Sequence, residues 1–140
     1  MKTAELEGAA LDYWVARAEL NTTLDGMVIK PYAKNQWTIN CQDDDSIGGY
    51  ICGGTIEGIK LRRALNLRLG EWHYRPSCDW SCGGPIIERE RITAEPHYPS
   101  GWFATNGGAD SFKGPTLLIA AMRCYVTSKF GDEVEDIPSC

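Results

Sequence analysis

The segment from Gly114 to Gly131 constrains the fold more than any other part of this sequence. Pro115 is suited to the start of a helix, and Gly131 is typical of a residue that ends one. The first half of the run between them is apolar on every side, so the pattern predicts a helix that crosses the hydrophobic core. The rest of the chain must therefore pack around this helix.

The length of the chain, 140 residues, suits one domain with a single hydrophobic core. Apolar residues recur at helical spacing from Gly8 to Leu20 and predict an amphipathic helix there. Short strands are predicted at Met27–Lys30 (ending before Pro31), at Ile87–Thr93 and around Trp102–Thr105. The segment 59–69 fits a strand and a helix about equally well. We predict an α+β fold in which a small antiparallel sheet is covered by the N-terminal and C-terminal helices.

Charge and hydropathy argue against two kinds of partner. The net charge is -5, and no run of cations exceeds the pair Arg62-Arg63, so duplex nucleic acid is not an expected partner. No apolar run reaches the roughly 18 residues that a membrane helix needs. The first residues carry acids where a signal peptide has its apolar stretch, so we expect the protein to act in a cytoplasm.

Six cysteines raise the question of disulfides or a metal. Without an export signal, free thiols in a reducing compartment are the better interpretation. Cys78 and Cys82 have a tolerable spacing for zinc, with His73 or His97 to complete the site, but the sequence contains no Cys-x-x-Cys pair. We therefore expect neither a metal nor another cofactor.

The segment from Ser77 to Ile92 holds most of the candidate binding residues. A tryptophan next to glycines offers a flat apolar face and backbone amides that a ligand can approach closely. The value of Trp80 and Trp102 as ligand platforms rests on these adjacent glycines and not on the rings themselves. The candidate ligand-binding residues are Asp79, Trp80, Gly83, Gly84, Glu88, Arg89, Trp102 and Arg123.

Each candidate also has a structural interpretation that the sequence leaves open. Trp80 and Trp102 are as well explained as core residues, because tryptophan is highly buried on average. The charges of Glu88 and Arg89 suit the solvated edge of a strand. Arg123 either packs its stem and reaches solvent or points into a pocket to pair with an anion.

Three blocks of the sequence, at 3–16, 74–92 and 114–134, resemble the NinX-like proteins of bacteriophages and prophages. The resemblance covers somewhat under half of the chain and implies a single-domain phage protein, spanning 1–140, that acts in the cytoplasm of a bacterial host. The segment at about 35–71 looks like an insertion relative to that family, and Cys78 and Cys82 stand where other residues are expected. The resemblance supplies no catalytic residue.

Three classes of function remain. The first is a non-enzymatic protein that binds and sequesters a small nucleotide-derived host molecule, such as an immune second messenger, and so blunts host defence. The second is an inhibitor or adaptor that binds a host protein through the same aromatic residues. The third, and weakest, is a metal-dependent hydrolase that uses Asp79, Glu88 or Glu90. We also expect a homo-oligomer, because so small a sheet leaves edges to cover.

Overall fold

The structure of the protein is a computed structural model that describes residues 1–20, 22, 24, 26–33, 36–41, 50–53, 72–108 and 110–137. Its helices are α1 (Gly8–Glu19), α2 (Trp80–Glu90) and α3 (Leu117–Phe130), preceded by a short 3-10 turn at Thr3–Glu5. Its strands are β1 (Met27–Ala33), β2 (Gln36–Cys41), β3 (Tyr50–Gly53), β4 (Trp72–Tyr74), β5 (Thr93–Pro96), β6 (Trp102–Thr105) and β7 (Phe112–Gly114). The predicted α+β class is confirmed, whereas the segment 59–69 lies outside the described residues.

Helix α3 is the central element, as its apolar sequence predicts. Ala120, Met122 and Val126 are completely buried. The Thr116 hydroxyl accepts a hydrogen bond from the Ile119 amide at 3.2 Å and caps the N-terminus. Gly131, with φ 86°, ends the helix in a backbone conformation that glycine adopts at little cost. One side of α3 covers strands β5, β6 and β7, and the other side packs against α1.

Helix α1 confirms the amphipathic pattern of the N-terminal segment. Leu11 and Val15 are completely buried, whereas Arg17 remains exposed. The helix packs against both α3 and β3. Helix α1 therefore lies between α3 and strand β3.

The strands form two sheets instead of the single sheet predicted. The first has the order β1-β2-β3-β4, with β3 and β4 parallel and the other pairs antiparallel. The second is the antiparallel sheet β5-β6-β7, which contains the predicted strand at Trp102–Thr105. Strand β1 continues past the predicted end at Pro31, because the register shifts between Pro31 and Ala33 and such an irregularity tolerates a residue without an N–H.

The expected insertion at about 35–71 supplies part of the core. Its described residues include β2 and β3. Trp37, Ile39 and Cys52 are buried in the same cluster as the residues of α1 and α3. These strands therefore contribute apolar surface to the interior of the domain.

The prediction of a strand at Ile87–Thr93 was wrong. Residues up to Glu90 belong to helix α2, and only Thr93 begins a strand. The alternating charges of the segment matched a strand, but tertiary packing uses the helical spacing of Gly83 and Ile86, which are both buried. Arg91 ends the helix in the left-handed region at φ 54°.

Candidate functional site

The start of α2 is held by Asp79. Its Oδ1 atom accepts hydrogen bonds from the Ser81 amide at 2.9 Å and from the Ser81 hydroxyl at 2.7 Å. The hydroxyl bond is the largest cause that lowers the pKa of Asp79 below its ordinary value. Asp79 is therefore an ionised N-cap whose carboxylate already has partners.

Trp80, the next residue, is an exposed aromatic side chain. Its relative accessibility is 57 %, so it is not a core residue. A Cβ added at Gly84 would lie 3.5 Å from Cε3 of the Trp80 ring, which places the indole along its own helix. Glu88, two turns further along, is exposed as well.

The two glycines of α2 have different surroundings. A Cβ at Gly83 would lie 2.6 Å from the Pro76 carbonyl oxygen and 2.8 Å from the Leu118 side chain. A Cβ at Gly84 would meet only the Trp80 ring, at an ordinary contact distance. Gly83 is therefore needed for close packing of α2 against the segment before it and against α3.

Arg89 is engaged in a partly buried ion-pair network. Its Nη2 lies 2.5 Å from Oε1 of Glu19, whose side chain is completely buried, and its Nε lies 3.1 Å from Glu90. Nη2 also donates to the Tyr125 hydroxyl at 3.2 Å, and the Thr22 hydroxyl donates to Glu19 at 2.6 Å. The hydrogen bond to Glu19 and, less strongly, the one to Glu90 raise the pKa of Arg89. The guanidinium therefore neutralises a buried carboxylate.

A separate cavity opens beside the second sheet, and we call it the hairpin cleft. Its volume is about 240 Å³. The residues that line it are His97, Ser100, Gly101, Trp102, Lys113, Gly114, Pro115 and Arg123. All the ionisable side chains in this lining are basic.

Two glycines shape the hairpin cleft. The His97 amide donates to the Gly101 carbonyl at 2.9 Å and closes the loop between β5 and β6, in which Gly101 has φ 89°. A Cβ at Gly114 would lie 2.5 Å from the Ala120 amide nitrogen, so any side chain there would push β7 away from α3. The strand and the helix can approach this closely only because Gly114 has none.

Arg123 is the fixed cation of the cleft. Its Nε donates to the Leu6 carbonyl at 2.7 Å and its Nη1 to the Lys113 carbonyl at 2.9 Å. Neither Arg123 nor Lys113 lies within ion-pair distance of an acid among the described residues. A guanidinium has five N–H donors, so Arg123 keeps donors for a ligand after making both bonds.

The cation of Lys113 lies against an aromatic pair. Its Nζ is 5.4 Å from the centre of the Phe103 ring, and the His97 ring is 4.3 Å from the same ring. Lys113 and Phe103 are directly paired across β6 and β7. The exposed lysine stem is flexible, so the ammonium can move toward an anion in the cleft.

A second cavity, which we call the β7 cavity, shares a wall with the hairpin cleft. Its volume is about 480 Å³. Its lining residues are Ala4, Asp110, Ser111, Phe112, Lys113, Arg123 and Asp132. Lys113 and Arg123 are thus common to both cavities, whereas of these two cavities only the β7 cavity is lined by acids.

Within the described part of the chain, no three His, Cys, Asp or Glu side chains are grouped as a metal site requires. Cys52, Cys78 and Cys124 are free thiols, whereas the Cys82 thiol donates to Oδ2 of Asp79 at 3.7 Å. Burial raises the pKa of Cys124 to about 11, and burial is also the largest cause that raises the pKa of Cys82. At neutral pH these two groups are therefore predominantly protonated and weak nucleophiles.

Comparison with known protein families shows which family the chain belongs to. The sequence model described as Bacteriophage P22, NinX matches residues 2–129. The chain belongs to this phage protein family. The NinX match confirms the resemblance inferred from the three sequence blocks and extends across the segment expected to be an insertion. No curated protein matches the chain.

None of the described helices of this NinX family member has the length and apolar character needed to cross a bilayer. Of the predicted site residues, Trp102 and Arg123 are brought together in the hairpin cleft. The others lie on or next to α2, and none of them lines either cavity: Asp79, Trp80, Gly83, Gly84, Glu88 and Arg89.

Sequence reasoning missed Lys113 as a binding residue and considered His97 only as a zinc ligand. Both side chains contact Phe103. For Lys113 the contact depends on the register of β6 and β7. A basic residue just before the Gly-Pro start of α3 was the available signal, but nothing in the sequence pairs it with an aromatic ring.

Proposed function

We propose that this phage protein binds a small nucleotide-like host molecule in the hairpin cleft and sequesters it without chemical change. The single observation that supports this most is the combination of Trp102 with Arg123 and Lys113 around one cavity. An aromatic face suits a base, and cations that have no acid within ion-pair distance among the described residues suit a phosphate. His97 adds a further hydrogen-bonding group at the same cavity.

A phage protein with such a site would act in the cytoplasm of the bacterial host and, by removing a nucleotide-derived immune messenger, weaken host defence. The cation cluster in a chain of net charge -5 supports the choice of a small anion as ligand, because basic residues gathered in a cavity focus a local positive potential. Sequestration needs affinity and stoichiometric amounts of protein. It does not need a catalytic group.

Two of the three carboxylates expected in a hydrolase, those of Asp79 and Glu90, already have structural partners, whereas Glu88 is exposed. Asp79 caps α2. Glu90 pairs with Arg89 and with Lys129, at 3.1 and 3.4 Å. These engagements support binding over catalysis, since a general base must be available to a substrate proton.

Titration calorimetry with adenosine monophosphate, cyclic oligonucleotides and ADP-ribose tests the proposal. We expect one of these probes to bind and to be recovered intact after the protein is denatured by heat. Recovery of a hydrolysed probe would instead indicate an enzyme. Absence of binding by every probe would contradict the nucleotide proposal.

Lys113→Gln is the informative variant, because it removes a cation without touching the backbone bond to Arg123. We expect it to weaken binding by about tenfold, the usual size of one charge-assisted hydrogen bond. Lys129→Gln is its matched control, since Lys129 pairs with Glu90 in the α2 network and lines neither cavity. Equal weakening by both variants would reveal a nonspecific effect of net charge.

A second candidate function is supported by the exposed aromatic side chains. Trp80 is 57 % exposed and Tyr98 is 82 % exposed, and large exposed rings are frequent anchors of protein interfaces. They support a role as inhibitor or adaptor of a host protein, and also a homo-oligomer. Light scattering measures the molecular mass of the protein and of its Trp80→Ser variant. The mass of a monomer for both proteins would contradict the homo-oligomer.

A further inference from the structure

The hairpin cleft alone is small for a ligand site. Its volume is about 240 Å³, whereas small-molecule sites typically measure about 300–1,000 Å³. The neighbouring β7 cavity has about 480 Å³ and shares the wall formed by Lys113 and Arg123. The β7 cavity is by itself within the usual range, and it shares two cationic lining residues, Lys113 and Arg123, with the smaller hairpin cleft.

The chemical character of the lining changes from one cavity to the other. The hairpin cleft contributes Trp102 and basic groups. The β7 cavity adds the carboxylates of Asp110 and Asp132 and the hydroxyl of Ser111. Neither carboxylate lies within ion-pair distance of a base among the described residues, so both have acceptor capacity for a ligand.

We propose that the two cavities form one site for a nucleoside diphosphate linked to a sugar, with its diphosphate on Lys113 and Arg123, its base on Trp102 and its sugar at Asp110 and Asp132. This inference rests on the proposed function and defines its ligand class. Carboxylates commonly accept hydrogen bonds from ribose hydroxyls. The same carboxylates repel a further phosphate, so a nucleoside triphosphate fits the site poorly.

Calorimetry with three probes tests the inference: adenosine monophosphate, ADP-ribose and ATP. We expect ADP-ribose to bind about tenfold more tightly than either of the others, which corresponds to one well-placed set of hydroxyl contacts beyond the phosphates. Adenosine monophosphate should bind measurably, because it occupies the hairpin cleft and its cationic wall.

Asp132→Asn separates the effect of the carboxylate from that of the cavity. We expect it to weaken ADP-ribose and to strengthen ATP, since the variant keeps the shape but removes the negative charge. The backbone bond from the Thr3 amide to the Asp132 carbonyl, 2.9 Å long, is unaffected by the change. Asp136→Asn is the matched control, because Asp136 is an exposed acid that lines neither cavity.

The outcomes distinguish this inference from the proposed function. If adenosine monophosphate binds but ADP-ribose binds no more tightly, or if ATP binds as well as ADP-ribose, the two-cavity site is wrong and nucleotide binding stands. If Asp132→Asn and Asp136→Asn have the same effect, the assignment of the sugar subsite is wrong. If none of these three probes binds, the two-cavity site is wrong; if the cyclic oligonucleotides also fail to bind, both proposals fail.

Discussion

Two arginines on neighbouring helices show how different the two candidate regions are. Arg89 of α2 pairs with the buried carboxylate of Glu19, at 2.5 Å, and with Glu90. Arg123 of α3 instead donates to the carbonyls of Leu6 and Lys113 and borders two cavities. The first guanidinium has its charge balanced by acids within the fold, whereas the second keeps its positive charge available. A basic residue is therefore a good candidate for anion binding only where the fold gives it no acid.

The largest expected effect is the loss of the Arg89 ion pair. Arg89→Met should lower the free energy of unfolding by about 3 kcal/mol, the low end for breaking a buried pair, because the arginine is one-third exposed and Glu19 is left without it. Urea denaturation measures this loss. Glu88→Gln on the same helix is the control and should have little effect. A loss no larger than that of the control would mean that the Arg89 pair with Glu19 contributes little to stability.

The second largest expected effect is a change of stability with pH that arises from Asp12. This buried residue contacts the segment that leads into α2. Desolvation raises the pKa of Asp12 to about 6, although its carboxylate accepts a hydrogen bond from the Ser77 amide at 2.8 Å. The folded state therefore binds a proton more tightly than the unfolded state, and this group's contribution to stability falls as the pH rises from about 4 to 6.

Asp12→Asn should remove that contribution. The stability of the variant relative to the original protein should increase by on the order of 2 to 3 kcal/mol between pH 4 and pH 7. Urea denaturation of both proteins across this pH range measures the difference in their free energies of unfolding. The other acids titrate in both proteins, so their contributions cancel in this difference. A difference that stays constant with pH would contradict the raised pKa.

A smaller effect distinguishes the two glycines of α2. Gly83→Ala should destabilise the protein by about 2 kcal/mol, because the new Cβ overlaps the Pro76 carbonyl and the Leu118 side chain. Gly84→Ala should be neutral or stabilise by about 0.5 to 1 kcal/mol, as expected where a helix interior has room for alanine. Thermal or urea unfolding compares them. Equal destabilisation by both would mean that Gly84 also has a packing role.

The smallest expected effect compares the two tryptophans in ligand binding. Trp102→Leu should weaken nucleotide binding by about 1 kcal/mol, because it removes the stacking face but keeps an apolar side chain against the core. Trp80→Leu should leave both binding and melting unchanged, since Trp80 is exposed on α2 and lines neither cavity. Calorimetry with adenosine monophosphate provides the measurement. A larger loss of affinity for Trp80→Leu than for Trp102→Leu would mean that the binding site lies on α2.

Elements with a long apolar pattern were predicted correctly from the sequence, whereas a short one was not. Helix α1 is long enough for its helical periodicity to be unambiguous, and α3 is a long apolar run with a helix-starting Pro115 and a helix-ending Gly131. The stretch around α2 is short, carries alternating charges and contains Gly-Gly-Pro, so local preference favoured a strand and a turn. Its helical form depends on Gly83 and Ile86 facing the core, which is a property of packing.

The sequence predicted some residues of the candidate site but not how they come together. Trp102 and Arg123 were identified by residue type, because an aromatic near a turn and a cation in an apolar helix are unusual. Their meeting with Lys113 and His97 depends on the pairing of β6 with β7 and on the contact of β7 with α3. The segments that supply these residues are separate in sequence, so no local pattern predicts their proximity.

The sequence by itself determined the α+β class, the two terminal helices and the membership of a phage protein family, because each depends on residue order within a continuous segment. The tertiary structure alone decided which charges are neutralised and which remain available. An acid and a base far apart in the chain, such as Glu19 and Arg89, can pair only after the helices pack. The charge of Arg123 is not balanced by an acid among the described residues, because the packing of α3 gives it backbone carbonyls as partners.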